Sequence, residues 1–199
     1  QSGVTALPHP DKPKPVACAD CHDDEAKAVG GSSHAKFIAA RAAKEKPGQT
    51  ARPADPCLAC HGEPHGLRKS DSPDSPTTRP HIAAVCLECH KRVEGAGQVL
   101  RIRAEPYLAG VHASAMAAGK TWAAVCSDCH GAHAIEPSSN PASKVHPPNI
   151  PATCGRCHPS EKKEYEVSIH WQAASKGIPE SPVCNGCHGE HGIQARSAA

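Results

Sequence analysis

The sequence predicts a fold made mostly of loops and short α-helices, with little or no β-structure, built around something other than an ordinary apolar core. Three observations carry this. Only 3% of the 199 residues are aromatic, with one Phe and one Met, so side chains able to fill an interior are scarce. The chain holds 20 Pro and 16 Gly, which interrupt long regular elements. One short pattern, C-x-x-C-H, occurs six times: CADCH (18–22), CLACH (57–61), CLECH (86–90), CSDCH (126–130), CGRCH (154–158) and CNGCH (184–188).

These motifs contain all 12 cysteines: Cys18 and Cys21, Cys57 and Cys60, Cys86 and Cys89, Cys126 and Cys129, Cys154 and Cys157, Cys184 and Cys187. No thiol is left over for a disulfide, a nucleophile or a separate metal site. C-x-x-C-H is the attachment pattern of c-type haem, in which two thiols add across the porphyrin vinyl groups and the adjacent imidazole ligates the iron. Zinc is the alternative, since a C-x-x-C pair is half of a tetrahedral site. A zinc ribbon does not require His after every second cysteine, and the regularity therefore favours six haem c groups. Their proximal ligands are His22, His61, His90, His130, His158 and His188. At about 33 residues per cofactor, the macrocycles become the interior and the polypeptide their coat.

Repetition sets the domain organisation. The first cysteines Cys18, Cys86 and Cys154 are equally spaced, and Cys57, Cys126 and Cys184 alternate with them, the last interval being the shorter. A single elongated unit of three dihaem repeats follows, 1–66, 67–134 and 135–199. In each repeat the second motif continues into Gly and a further His, as CHGEPH (60–65), CHGAH (129–133) and CHGEH (187–191). Between the two motifs lies one more His: His34, His112 or His170. His112 precedes Gly119 and Cys126 by the same intervals at which His170 precedes Gly177 and Cys184.

Local structure can be placed on this frame. Residues 161–176 read as a helix with Ser160 as N-cap after Pro159, Glu161 in the first turn and Gly177 just past the end. Similar short helices fit 34–46 and 105–118. The Ser/Pro/Asp-rich 68–80 and Pro-rich 136–153 read as linkers wrapped around the haems.

Six electron-transfer haems need six distal ligands. Nine histidines remain after the proximal set, and six hold equivalent repeat positions: His34, His112 and His170 upstream, His65, His133 and His191 in the tails. The other three, His9, His81 and His146, lie at unequal distances before a motif and do not align. They read as solvated or propionate-bonding. His9, on its Pro-flanked arm, is also a candidate ligand to a haem of a neighbouring chain. Met116, Trp122, Trp171, Tyr107 and Tyr165 read as packing against porphyrin edges.

The stretches GVHASAMAAGKTWAAVCSDCHGAHAI and SIHWQAASKGIPESPVCNGCHGEHGI are similar to those of multihaem c-type cytochromes, where a distal His in a short helix precedes C-x-x-C-H-G-x-H. The resemblance runs through all three repeats. It implies bis-histidine haems, closely spaced in alternating stacked and T-shaped contacts. Two departures stand out: Ala35, Ala113 or Trp171 follows the upstream His where the family often has Gly, and His65 is four rather than three residues beyond its proximal His.

Several functions are excluded by composition. The formal charge is +2, and no charge run exceeds the short EKKE at 161–164, so neither a nucleic-acid footprint nor a polybasic membrane patch is present. No apolar stretch reaches the length of a membrane span. The chain opens QSGVTALPHP, without a basic segment leading into an apolar one, and reads as mature. Haem attachment outside the cytoplasm implies an exported protein, periplasmic or extracellular.

The expected function is electron transfer, not catalysis, because two imidazoles saturate each iron. Partners are redox proteins or extracellular electron acceptors. Two forms are compatible: a soluble periplasmic shuttle, or a head-to-tail homopolymer resembling the extracellular cytochrome nanowires. A reductase would need a haem with an open distal side.

Overall fold

The computed structural model describes residues 17–35, 57–91 and 104–195. Among these residues the chain is helical, without a strand, and its helices are short. In order they are α1 (Asp23–Gly31), α2 (Leu58–His61), α3 (Ile82–His90), α4 (Val111–Ala117), α5 (Cys126–His130), α6 (Ile150–Gly155), α7 (Pro159–Glu166), α8 (Ile169–Ala174) and α9 (Cys184–His188). Tight 3₁₀ turns cover Cys18–Asp20, Pro64–Gly66, Glu105–Ala109 and Pro147–Asn149.

Three of these helices, α2, α5 and α9, are single turns that end on a proximal His. What stops them is the next residue. Gly62, Gly131 and Gly189 have φ of 88°, 82° and 77° with ψ of −163°, −179° and −176°, a region essentially restricted to glycine. Each returns its N–H to the carbonyl four residues back, on Leu58, Ser127 and Asn185. The glycine ends the helix and turns the chain toward the tail His.

A second recurring device precedes the upstream His. Two residues before it stand Ser32, Gly110 and Ser168, with φ, ψ of −80°, 166°; −85°, 165°; and −78°, 159°. Each donates its N–H three residues back, to Val29, Tyr107 and Tyr165. Ser32 precedes the helix expected over 34–46, whereas Gly110 and Ser168 divide what the sequence predicts as continuous helices. The 105–118 segment becomes a 3₁₀ turn and α4, and 161–176 becomes α7 and α8. At the second break, Ser168 Oγ accepts the Trp171 N–H at 3.2 Å and caps α8, so the serine competes successfully with helix continuation. At Gly110 the break serves close approach, since a Cβ there would meet the carbonyl oxygens of Tyr107, His191 and Ile193 at 3.1 to 3.2 Å.

The cap expected of Ser160 is also displaced. Helix α7 begins at Pro159 with His158 in the N-cap position, and Ser160 Oγ donates instead to Glu161 at 2.8 Å. Gly119 and Gly177 end their segments as expected, at φ of 83° and 78°. Of the helix expected over 34–46, the turn at 33–35 is seen; the remainder lies outside the described residues.

The linkers are more ordered than their composition suggests. Backbone N–H groups of Ser72, Ser75, Thr78 and His81 each donate three residues back, and Asn140, Ser143, His146 and Asn149 repeat the pattern. Ser75 is 1% exposed and Ser143 3%, with the Ser75 hydroxyl paired to Thr77 and the Ser143 hydroxyl donating to the Glu136 carbonyl. From the first linker Arg79 reaches across to Asp128, Nη1 to Oδ1 at 3.0 Å and Nη2 to Oδ2 at 2.8 Å. It also donates to the carbonyls of Thr121 and Ala123, each at 2.8 Å. This forked pair ties the linker to α5.

Helix α3 rests on α5, α5 on α6, and α6 on α7 and α9. Apolar burial is thin: among the described residues the buried hydrophobic side chains are Leu58, Leu87, Ala123, Val125 and Ile150. The described residues bury far too little apolar surface among themselves for their number.

Candidate metal-binding imidazole pairs

The fold brings eight of the histidines together in four pairs. His34 faces His90 with ring centroids 5.9 Å apart, His61 faces His133 at 6.2 Å, His112 faces His158 at 6.2 Å, and His130 faces His191 at 5.9 Å. Every pair joins one C-x-x-C-H histidine to one upstream or tail histidine.

The separation has chemical content. A metal–imidazole bond is about 2.0 Å and the ring centroid lies about 1.1 Å behind the nitrogen, so two rings on opposite sides of one metal have centroids about 6 Å apart. Two rings sharing a tetrahedral ion would come closer, to about 5 Å. The observed 5.9 to 6.2 Å fits the linear arrangement. Interplanar angles of 17°, 20°, 50° and 90° are all compatible, because an axial imidazole is free to turn about its bond.

The donor set suits a group whose other ligands come from elsewhere. Among the described residues, no three His, Cys, Asp or Glu side chains converge to hold a bare ion. Imidazoles meet in twos, with two cysteines beside each proximal ring. Burial lowers the pKa of His34, His61, His112 and His130, and the facing imidazole lowers it further. Neutral rings are the ligating form. Nδ1 of His90 is buried and has no hydrogen-bond partner among the described residues. Imidazole pairs at this separation, adjacent thiols and scant apolar burial among the described residues together fit haem.

The thiols also show how neighbouring sites sit. The Cys86 thiol is hydrogen-bonded to Cys126, which pushes Cys86 up and Cys126 down to about 7. Cys154 is pushed up to about 12 by burial and then by Cys184 beside it. In the second and third repeats the leading cysteines of the two motifs are therefore neighbours. Arg156 in the fifth motif donates to the Asp128 carbonyl in the fourth at 3.1 Å, so successive motifs adjoin.

Four predicted site residues form no such pair among the described residues, although His22 lies near enough to His61 to help lower its pKa. His22, His65, His170 and His188 are exposed, and none faces another imidazole among the described residues. His9 lies outside the described residues.

Two features escaped sequence reasoning. His81 and His146, misaligned when counted from their cysteines, hold the same place in the two turn ladders. Each donates its backbone N–H three residues back, and each ring Nδ1 meets a carbonyl of its own linker, Ser75 at 3.1 Å and Ser138 at 2.8 Å. Counted from Pro76 and Pro141 the two intervals are equal, and PPN at 147–149 accounts for the difference downstream. The second is Tyr107 and Tyr165, whose hydroxyls donate to the carbonyls of Ala124 and Pro182, each at 3.0 Å and 17 residues away. Trp171 packs on Tyr165, while Trp122 is 73% exposed.

Comparison with protein-family models, with curated proteins and with solved structures found no match to this chain.

Proposed function

We propose that this protein is a hexahaem c-type cytochrome that carries electrons along a chain of bis-histidine haems. The observation that carries the reading is the set of four imidazole pairs, each one proximal and one distal, at the separation of two ligands on a common axis.

The residues divide the work. The two thiols of each motif would tether one porphyrin, as Cys86 and Cys89 would for the third, and the adjoining His would ligate its iron. At the four paired sites the second His would supply the remaining protein ligand, which would leave no coordination position there for a substrate and supports transfer over catalysis. When bound, each haem supplies a one-electron couple of low potential, since imidazole on both sides lacks the Met that raises it. Burial of His34, His61, His112 and His130 restricts water at the ligands and tunes each site. Adjacent leading cysteines at Cys86 and Cys126, and at Cys154 and Cys184, support haem edges close enough for tunnelling within a repeat.

An exported location, periplasmic or extracellular, goes with this function, as do partners that are redox proteins or external electron acceptors. No helix among the described residues is long and apolar enough to cross a membrane. A pyridine haemochrome assay with intact mass tests the reading. Six haems per chain and a low-spin ferric spectrum are expected; markedly fewer, or zinc in their place, overturns it.

A further inference from the structure

The pairing follows a rule that the described residues do not complete among themselves. At the boundary between the first and second repeats, upstream His34 reaches forward to first-motif His90, and tail His133 reaches back to second-motif His61. At the next boundary the same exchange recurs: His112 reaches forward to His158, and His191 reaches back to His130. The backbone repeats it too. Ser33 N–H donates to the Ile135 carbonyl at 2.9 Å, and Val111 N–H to the Ile193 carbonyl at 2.8 Å. In both cases the residue before the upstream His binds the residue two beyond the tail His of the following repeat.

Carried one step further, the rule leaves two loose ends. Among the described residues, upstream His170 and His188 of the third repeat, and His22 and tail His65 of the first, are the four that the rule leaves without a second ring. All four are exposed, and among the described residues none has an imidazole partner. Beside them, in the places of the junction hydrogen bond, stand Ile169 and Leu67, apolar side chains that are 76% and 46% exposed.

We propose that a second copy of this chain completes both ends: His170 of one protomer ligates the haem held by His22 of the next, and His65 of that next protomer ligates the haem held by His188 of the first. The junction between protomers then reproduces the two junctions inside the chain, with Ile169 N–H on the Leu67 carbonyl. The contact is head-to-tail and does not close on itself, so it propagates into an open filament with an unbroken haem chain. His9 is not needed, because the rule supplies a second imidazole for each of the six proximal histidines without it. The inference rests on the haem reading.

The test uses the haem-loaded protein, with six haems per chain verified first by pyridine haemochrome; a low count is a failure of the haem reading, not of this rule. Wild type is expected to form filaments by electron microscopy, with all haems low-spin in electron paramagnetic resonance. His65→Ala and His170→Ala each raise the assembly concentration by roughly 100-fold or more and yield monomers with high-spin ferric haem. Mixed in equal amounts they give dimers and nothing longer, because only the intact tail of His65→Ala and the intact head of His170→Ala can meet. Ile169→Asp keeps every ligand and raises the assembly concentration by roughly tenfold. The proposal is overturned by a six-haem wild type that remains monomeric at all concentrations, by filaments that persist in either alanine variant, or by a fully low-spin monomer, including one in which His9→Ala alone restores a high-spin signal.

Discussion

Helices α4 and α8 are the same segment written twice, one repeat apart, and they differ in what surrounds them. Both follow an extended residue, both carry the upstream His at their second position, both end at a left-handed Gly, and both have a Tyr just before them whose hydroxyl donates to a downstream carbonyl at 3.0 Å. Yet Val111 is partly buried with its N–H on Ile193 and His112 faces His158, while Ile169 is 76% exposed and His170 faces no ring among the described residues. Local sequence builds the helix in both places. A neighbouring repeat decides whether its His becomes half of a pair.

The sharpest way to break the comparison is to remove each histidine in turn. His112→Ala is expected to convert one of the six haems to a high-spin form in every chain while leaving the ends able to assemble. His170→Ala is expected to stop assembly instead, and electron paramagnetic resonance with light scattering separates the two results.

A smaller effect is expected at the glycines that follow the proximal histidines. Gly131 and Gly189 share an unusual backbone, and a Cβ at either would meet no atom closer than 3.7 Å, so the penalty in each is conformational. Gly131→Ala and Gly189→Ala should each cost about 1–3 kcal/mol in denaturant unfolding of the haem-loaded protein, and by similar amounts. Unequal losses would mean that the two repeats differ locally after all.

The Arg79–Asp128 pair marks where the copies diverge, because Gly186 stands in the third repeat at the place of Asp128. Burial works to raise the Asp128 carboxyl, and the Arg79 guanidinium with the Val125 N–H outweighs it, leaving the group below the usual carboxylate range. A carboxyl depressed in the folded state adds stability above its unfolded value and loses it as pH falls through the folded one. Asp128→Asn should therefore cost about 1–2 kcal/mol near neutrality. The difference from wild type should shrink on acidification below pH 3.8, measured by unfolding midpoints across pH. The smallest expected change is Tyr107→Phe or Tyr165→Phe, each removing one hydroxyl-to-carbonyl bond worth about 0.5–1.5 kcal/mol, with Tyr107 the costlier because it is more buried.

Much was legible in advance because it depends on covalent spacing. The C-x-x-C-H motifs, the Gly after three of them, the helix-terminating Gly119 and Gly177, and the equivalent repeat positions of the upstream and tail histidines follow from residue types at fixed intervals. Helix boundaries were less so. The breaks at Gly110 and Ser168 look like ordinary helix positions by count; only carbonyls arriving from His191 and Ile193 show why Gly110 has no side chain. Likewise, Ser75 and Ser143 belong to segments whose composition reads as loose linker, and their burial comes from turns stacked every three residues.

The sequence by itself determined the inventory: six C-x-x-C-H motifs, a repeat of two motifs, six further histidines at equivalent places for the six that end the motifs, and too few large apolar residues to form a core. Tertiary structure alone decided the pairing, joining eight histidines in four pairs, each between adjacent repeats. The reason is reach. A single-turn helix cannot fold its own flanking imidazole onto the axis of its proximal ring, so each ligand must come from a distant segment that packing brings alongside, as His34 comes to His90 and His133 to His61.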